Sequence, residues 1–268
     1  MPATLTRVSS RHHALVRDCR SLARADRHGR VLLDGAHLVF DALRAGATIE
    51  AVLLTRDALA ADADLASALH ASGVPLFEAS AGVLDAASPA RSPSGVVAIA
   101  RWALADLARL FSPFPALTVG LVDVQDPGNV GAVIRAADAL GATGVAVTGQ
   151  SADPGSWKAL RGSMGSAFRL PVARADLAAL LAEARRAKAH VAAAVARGGT
   201  DPARASLGRP TLLLFGHEGA GLPDEVLHHA DTLVTLPMRA GVDSLNVSVA
   251  AALMVDEARR QRAATAAR

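Results

Sequence analysis

One stretch, residues 117–140, limits the fold of this chain more than any other. It opens with a largely apolar run at 117–124, continues to a polar Pro-Gly-Asn at 127–129, and then places apolar side chains at helical spacing. The run predicts a buried strand, the polar residues a turn, and the spacing a helix that Gly141 ends. Asn129 then falls where the strand gives way to the helix, beside free backbone N–H groups. Arg135 lies inside the helix, off its apolar stripe.

Two later stretches repeat this order of strand and polar loop. The apolar run 211–215 leads into a glycine-rich loop at 216–222, and the run 232–236 leads into a longer polar loop at 237–248. In an open parallel sheet, ligands bind beyond the carboxyl ends of the strands. We therefore expect the three loops to converge on one site. That site would offer exposed backbone and five polar side chains, those of Asn129, Arg135, Glu218, Ser244 and Asn246.

Strand and helix patterns alternate along the rest of the chain, which predicts an α/β architecture in layers. The first half has strand patterns at 30–34, 49–55, 74–77 and 95–102 and helix patterns at 9–28, 36–46, 58–71 and 80–86. The second half adds strand patterns at 144–148, 168–172 and 190–195 and helix patterns at 156–163, 177–189 and 246–262. The last helix is apolar nearly all round in its first half, which predicts burial on several sides. Two prolines near residue 113 block both helix and central strand, so we expect domains at 1–112 and 113–268.

The amino-acid composition excludes or disfavours several classes of protein and several kinds of site. The 268 residues are 51% hydrophobic, which is ample for a core, but 3% aromatic with no tyrosine, so base stacking is not expected to dominate RNA contact. No apolar run has membrane-spanning length, and the N-terminus lacks a signal-peptide pattern. A single cysteine, Cys19, excludes an internal disulfide and fits a cytoplasmic protein. No Cys/His spacing predicts a zinc or other metal site.

Positive charge is concentrated at the N-terminus, although the net charge of +3 is modest. Seven arginines fall in the first 30 residues against two aspartates; the arginines are Arg7, Arg11, Arg17, Arg20, Arg24, Arg27 and Arg30. Such a cluster suits contact with nucleic-acid phosphates, and a solvated helix face is the alternative.

The three stretches around the expected site resemble, in this order, the signature motifs of the SpoU/TrmH family of ribose methyltransferases, which belongs to the SPOUT class. The resemblance covers roughly residues 115–262 and rests on Asp126-Pro127-Gly128-Asn129-Val130-Gly131, Gly216-x-Glu218-Gly219-x-Gly221-Leu222 and Ser244-Leu245-Asn246-Val247-Ser248-Val249-Ala250. The family more often has Asn where His217 stands. The resemblance implies a C-terminal trefoil-knotted parallel sheet with helices on both faces, which binds S-adenosylmethionine and joins two copies into a homodimer.

The resemblance also implies catalytic roles. The matching arginine, Arg135, acts in the family at the ribose 2′-hydroxyl. Because a guanidinium is almost never neutral, we expect it to grip phosphate and polarise the hydroxyl rather than to serve alone as a base. Asn129 would bond the ribose or orient Arg135, and Glu218 would hold Arg135 or the cofactor amine. Ser244 and Asn246 would position substrate and the methionine tail.

Helix capping and loop hydrogen bonds are the structural alternatives for these polar residues. We expect five residues to surround the adenine of the cofactor with apolar walls and backbone hydrogen bonds: Leu214, Gly216, Leu236, Met238 and Leu245. Glu218 and Asn246 complete the expected cofactor site.

The first half resembles the smaller ribosomal-protein-L30e-like α/β/α domain that many such methyltransferases carry before the knot. The match rests on residues 31–39 and 94–98. In the family this domain helps to bind RNA. The RNA-binding residues that we expect are Arg11, Arg17, Arg20, Arg24 and Arg161.

Together these features predict S-adenosylmethionine-dependent methylation of a ribose 2′-hydroxyl in structured RNA, with 23S rRNA the first choice and tRNA the second. A dinucleotide-dependent oxidoreductase is disfavoured because no strand is followed by G-x-G-x-x-G. A catalytically silent RNA-binding protein is disfavoured because the candidate positions keep residues suited to chemistry. One group of the family confers resistance to thiazole peptide antibiotics such as thiostrepton by methylating large-subunit rRNA, and the layout of this chain is compatible with that group.

Overall fold

The computed structural model describes residues 5–24 and 29–266. In chain order the elements are β1 Leu5–Val8, α1 Ala14–Leu22, β2 Arg30–Asp34, α2 Ala36–Arg44, β3 Ile49–Leu54, α3 Arg56–Ala61, α4 Ala63–Ser72, β4 Leu76–Ala79, α5 Ala81–Ala87, β5 Val96–Arg101, α6 Leu107–Phe111, β6 Leu117–Val122, α7 Pro127–Ala139, β7 Gly144–Thr148, α8 Trp157–Ser163, β8 Val172–Arg174, α9 Leu177–Arg186, β9 His190–Ala194, β10 Thr211–Phe215, α10 Asp224–Leu227, β11 Thr232–Val234 and α11 Val247–Ala266. Single 3₁₀ turns lie at Ser166–Phe168 and Pro202–Arg204. Within the described ranges, no helix is both long enough and apolar enough to cross a membrane.

The chain divides into two compact units, and the division differs from the one that the prolines suggested. Unit 1 combines Met1–Ala103 with Gly155–Phe168, and unit 2 combines Leu104–Pro154 with Arg169–Arg268. The expected boundary at residue 112 falls after α6, but α6 packs on the strands of unit 2 and so belongs there. The segment 155–168, expected in the C-terminal domain, belongs to unit 1 instead.

Unit 1 is an α/β domain around a five-stranded sheet with the order β1-β4-β3-β5-β2. Strands β1, β4 and β3 are parallel, whereas β5 runs antiparallel to both β3 and β2. The buried face of α1 contributes Val16, Cys19 and Leu22 to a core that α5 also covers. The cysteine is therefore a core residue, and burial, the largest influence, raises the pKa of its thiol to about 12.

The segment 155–168 completes unit 1. Helix α8 packs beside β2 with Leu160 fully buried, and Trp157 contacts the core under α1. The indole N–H of Trp102 donates to the carbonyl of Ala167 at 2.9 Å. The segment 155–168, which follows strand β7 of unit 2 in the chain, thus supplies part of the core of unit 1.

Unit 2 is built on six parallel strands in the order β11-β9-β10-β6-β7-β8. On one face, α6, α9 and α10 pack over a cluster that includes Leu110, Leu180 and Val226. On the opposite face, α7 and α11 pack against each other and against the central strands. The expectation of a parallel sheet with helices on both faces is confirmed. Because parallel strands end at a common edge, β6, β10 and β11 deliver their three loops to the same side.

Several sequence expectations need correction. Pro-Gly-Asn is not a turn before the helix but its first three residues: Pro127 begins α7, and Asp126 is the N-cap. The helix expected at 9–28 is shorter, residues 25–28 lie outside the described part of the chain, and β1 was not expected at all. The helix expected at 58–71 breaks at Asp62, which caps α4 through its side chain. The strand expected at 168–172 begins at Val172, after the 3₁₀ turn.

Only one side of α11 is buried within this chain, whereas the sequence predicted burial on several sides. Met254 and Val255 are buried against unit 2, but Val249 is 47% exposed and Leu253 is 48% exposed. These two apolar side chains stand one helical turn apart, so they share a face.

Candidate active site

A chain of hydrogen bonds joins the three loops that the sequence placed at one site. The carboxylate of Glu218 accepts from the side-chain amide of Asn129 at 2.9 Å. The side-chain carbonyl of Asn129 accepts in turn from the amide of Asn246 at 3.0 Å. The carbonyl of Asn246 then accepts from the backbone N–H of Ser248 at 2.8 Å, in the first turn of α11. The expected convergence is thus present, and it is fixed by side chains from all three motifs.

Glu218 also holds the backbone that leads into α7. Its two oxygens accept from the N–H groups of Asp126 at 3.3 Å and Gln125 at 3.4 Å. Burial, the largest influence, raises the pKa of the carboxyl, but the bond from Asn129 and the backbone N–H bonds outweigh it, so the net pKa lies below its usual value. Glu218 is therefore an ionised clamp on the first motif.

Capping roles are distributed differently from the sequence expectations. The side chain of Asp126, which the sequence analysis did not single out, accepts from the N–H of Asn129 at 2.9 Å. Asp followed by Pro at the first helical position is a known capping signal, so the sequence alone could have indicated it. At α11 the capping side chain is Asn246 rather than Ser244.

Beside this chain of bonds lies a cavity of about 560 Å³ at the carboxyl ends of β9, β10 and β11. Most of the expected cofactor residues line it, together with Ser244: they are Gly216, Glu218, Leu236, Met238, Leu245 and Asn246. Leu214 does not line it, because its side chain packs in the core on the face covered by α9. The neighbouring Phe215 lines the cavity instead, as alternation along β10 requires. Strand β9 contributes a wall that the sequence analysis missed, at residues 194–196.

The loop 216–221 that forms one cavity wall is tightly turned. The N–H of His217 donates to the carbonyl of Gly221 at 3.0 Å, and the N–H of Gly221 donates back at 2.9 Å. A Cβ on Gly216 would lie 2.2 Å from the carbonyl carbon of Gly221, so only glycine fits there. The tight turn brings backbone N–H and carbonyl groups to the cavity.

Arg135 stands exposed on α7, outside the cavity lining. No hydrogen bond or ion pair of its guanidinium occurs among the described residues. Asp138 lies one helical turn from Arg135 but is paired with Arg169 at 2.8 Å and forms no ion pair with Arg135. Since helical side chains lean towards the N-terminus, Arg135 is directed towards the end of α7 that meets the three loops.

The arginines expected to bind RNA fall into two groups, all in unit 1. Arg17, Arg20 and Arg24 are exposed, and their spacing along and just beyond α1 places them on one face. None of these three side chains forms a hydrogen bond or ion pair with another residue that the structure describes. Arg11 donates from Nε to the carbonyl of Gly82 at 3.0 Å, and Arg161 lies 3.9 Å from the buried carboxylate of Asp34.

Of the remaining arginines of the N-terminal cluster, Arg7 is exposed on β1, whereas Arg30 is paired. Arg30 is bound to Asp18 at 3.2 Å and to Glu50 at 2.8 Å, and Arg27 lies outside the described residues. Across residues 5–24 and 29–266, no cluster of three or more His, Cys, Asp or Glu side chains is arranged to hold a metal ion.

Each half of the chain matches a known protein family. Residues 116–256 match the SpoU rRNA Methylase family, and residues 16–98 match the MRM3-like substrate binding domain. A 23S rRNA (guanosine(2553)-2′-O)-methyltransferase from Bacillus subtilis is 31% identical over 84% of this chain and 86% of its own length.

Among solved structures, the AdoMet-bound rRNA methyltransferase from Sinorhizobium meliloti is 32% identical, with a TM-score of 0.83 over 96% of this chain and 98% of that one. The SpoU methyltransferase AviRb from Streptomyces viridochromogenes, in complex with AdoMet, is 30% identical, with a TM-score of 0.81 over 94% and 99%. The likeness therefore extends across both units.

Proposed function

The chain belongs to the SpoU rRNA methylase family, and we propose that it transfers a methyl group from S-adenosylmethionine to a ribose 2′-hydroxyl of 23S rRNA. The observation that carries the proposal is the bonded series Glu218–Asn129–Asn246, which joins the three motif loops beside one cavity. The relatives named above act on rRNA or bind AdoMet, and the family match includes every residue of that series.

The cavity has the chemistry that S-adenosylmethionine needs. Leu236, Met238 and Phe215 give it apolar walls for an adenine, and the tight loop at 216–221 offers backbone hydrogen bonds. The charged side chains in its lining are the carboxylates Glu218 and Asp243, with no Lys or Arg among the described lining residues. Asp243 is paired with Arg197, so the negative charge of the lining comes mainly from Glu218, and this charge suits a sulfonium and an ammonium group. When bound, the cofactor supplies an electrophilic methyl group.

The residues of the chain supply orientation and charge. Arg135 grips the phosphate beside the target ribose and polarises the 2′-hydroxyl, because a guanidinium presents several donors in a fixed plane and stays charged. The hydrogen bond between Asn129 and Asn246 holds their two loops in place relative to each other. Ser244 offers a hydroxyl to the substrate at the cavity wall. Holding the hydroxyl oxygen in line with the methyl group accounts for a large part of the rate enhancement expected of such a site.

RNA contact is assigned to unit 1. The unpaired stripe of Arg17, Arg20 and Arg24 fits a run of phosphates, and Arg11 and Arg161 extend the positive surface despite their internal partners. We place the reaction in the cytoplasm, with the ribosome or its precursors.

We further propose a homodimer joined through α11. Val249 and Leu253 leave an apolar strip exposed on this helix, and Leu245, which lies two residues before the helix begins, is also exposed. Burial of such a strip against a second copy removes apolar surface from water on both sides.

We also propose that unit 2 is knotted. The connection between β9 and β10 is bonded along α11: Gln261 donates to the carbonyl of Pro202 at 3.0 Å and accepts from the N–H of Leu207 at 2.9 Å. Arg262 donates to the carbonyls of Ala116 at 2.7 Å and Arg209 at 2.9 Å. Such bonds on several sides of the last helix support a chain end threaded beneath that connection.

The decisive experiment is mass-spectrometric mapping of 2′-O-methyl groups in rRNA and tRNA from cells with and without the gene. We expect one 23S rRNA nucleotide to lose its methyl group, and purified enzyme with S-adenosylmethionine to restore it. Loss of a tRNA methyl group instead would show that the substrate is tRNA and not 23S rRNA. No change in either RNA would contradict the proposed activity. Resistance to thiazole peptide antibiotics is tested with the same pair of strains by comparing the inhibitory concentrations.

A further inference from the structure

The imidazole of His217, at the cavity wall, has one ring nitrogen committed. Its Nδ1 accepts from the N–H of Gly219 at 2.9 Å and from the N–H of Ala220 at 3.1 Å. Both partners are backbone amides and can only donate, so Nδ1 carries no proton and the neutral ring carries its proton on Nε2. Among the described residues, no hydrogen bond engages Nε2. The structure therefore leaves one N–H donor free on a ring that lines the cavity.

The loop holds this ring in place. The paired backbone bonds between His217 and Gly221 close the turn, and the missing Cβ of Gly216 lets the two strands of the loop approach. A donor held in this way loses little conformational freedom when it meets a ligand.

The composition of the lining says which ligand group this donor suits. A ligand carboxylate in the cavity meets the carboxylate of Glu218 and that of Asp243, which is paired with Arg197. The described lining itself contains no lysine or arginine that could bind the ligand carboxylate. The side-chain amide of Asn246 is already donated to Asn129. That amide keeps one further N–H, and of the other side-chain donors in the lining, those of His217 and Ser244 form no hydrogen bond among the described residues.

We propose that Nε2–H of His217 donates a hydrogen bond to the carboxylate of the methionine moiety of S-adenosylmethionine. The proposal rests on the proposed function, since it names a contact to the same cofactor. His217 then has two roles: Nδ1 accepts hydrogen bonds that stabilise the loop, and Nε2–H binds the ligand. A shorter polar side chain such as Asn can do the first job but cannot reach as far for the second.

The test is calorimetry with two ligands, S-adenosylhomocysteine and 5′-methylthioadenosine, of which the second lacks the amino-acid carboxylate. His217→Asn keeps an oxygen that can accept from the loop amides but removes the distal donor. We expect it to weaken S-adenosylhomocysteine about tenfold, as for a lost hydrogen bond to a charged group in a partly solvated site. Binding of 5′-methylthioadenosine should change by less than about twofold.

The control is His229→Asn, which alters a histidine outside the cavity and should leave both affinities unchanged. Equal losses for the two ligands would mean that His217 acts only through the loop, and no loss for either would mean that Nε2–H contacts nothing; both results overturn the proposal. Nitrogen-15 shifts that place the proton on Nδ1 would also overturn it. If the unchanged protein bound neither ligand, the proposed function itself would fail.

Discussion

At the scale of single residues, Arg135 combines exposure, charge and the lack of any partner among the described side chains. If it stabilises the ribose oxygen and its phosphate only as the methyl transfers, its loss removes transition-state binding specifically. We predict that Arg135→Ala lowers kcat by about 10²- to 10³-fold while affinity for S-adenosylmethionine changes little. Arg135→Lys should recover little, because an ammonium lacks the planar fork.

Single-turnover methyl transfer to the true RNA, paired with calorimetry of the cofactor, measures both quantities. Arg185→Ala, an exposed arginine on α9 across the sheet, is the matched control and should be neutral. Near-normal turnover in Arg135→Ala would show that Arg135 has only a structural role and that another group polarises the 2′-hydroxyl.

Glu218 gives a prediction about pH. Its pKa is lowered in the folded protein, so the ionised clamp contributes stability that is fully present above the ordinary glutamate pKa and is lost as the pH falls through the lowered folded value. Glu218→Gln should therefore lower the melting temperature most near neutral pH, and the difference should fade in acid. Because the residue is exposed, we expect less than about 1 kcal/mol.

Thermal unfolding of both proteins across the acid range measures this difference. Glu225→Gln, which removes an exposed carboxylate on α10, is the control and should show no such fading. A difference for Glu218→Gln that stays constant with pH would contradict the clamp.

At the scale of elements, the arginine stripe on α1 is the feature most open to test. We predict that Arg17→Ala combined with Arg20→Ala weakens RNA binding and lowers the log–log salt slope by about 1.4 to 1.8, because each lost phosphate contact removes ~0.7 to 0.9. Cofactor affinity should be unchanged, since the cavity belongs to the other unit.

Filter binding across a salt series gives the slope. The control pair is Arg44→Ala with Arg56→Ala, which removes the same charge from other helices of unit 1. If both pairs lowered the slope equally, the effect would be one of net charge, and the α1 stripe would be an ordinary solvated face.

The elements that the sequence predicted best are those with a strong apolar pattern. Strands β6, β7 and β10 are buried on both faces and therefore appear as continuous apolar runs. Strand β1 was missed because three of its four residues are exposed, so its Leu-Thr-Arg-Val carries little apolar signal. The sequence does not indicate the helix start at Pro127, because Pro-Gly is typical of a turn, although proline at a first helical position costs nothing.

For the site, the sequence identified members but not their bonding. Asn129, Glu218 and Asn246 were each expected there, yet their mutual bonds depend on strand order, which places β6 beside β10 and brings their loops together. Leu214 was assigned to the cofactor because it is apolar and close in sequence. Which of two neighbouring strand residues faces a cavity depends on register, and that is set by the whole sheet.

At the scale of the whole molecule, the exposed strip on α11 predicts a dimer. We expect the unchanged protein to sediment as a dimer at micromolar concentration and Val249→Asp with Leu253→Asp to sediment as a folded monomer, because buried charge without a partner opposes association. Leu104→Asp with Phe114→Asp changes two exposed apolar residues elsewhere in unit 2 and should leave the dimer intact. A monomer in the unchanged protein would contradict the interface.

The proposed knot predicts a mechanical signature. When a knotted chain is pulled from its two ends, the knot tightens and withholds length, about 3.5 Å for each trapped residue. Single-molecule stretching of the whole protein should therefore give a contour length below that of the full extended chain. A contour length equal to the extended chain would show that unit 2 is unknotted.

The placement of residues 155–168 has a consequence for synthesis. The ribosome releases Ala103 well before Phe168, and at about 5 to 20 residues per second the interval is several seconds. During that interval the first unit lacks Trp157 and Leu160, and the face that they cover stays open to water. The nascent N-terminal domain is thus completed only after β6, α7 and β7 have emerged, so its folding is finished during the synthesis of unit 2 and not before that synthesis begins.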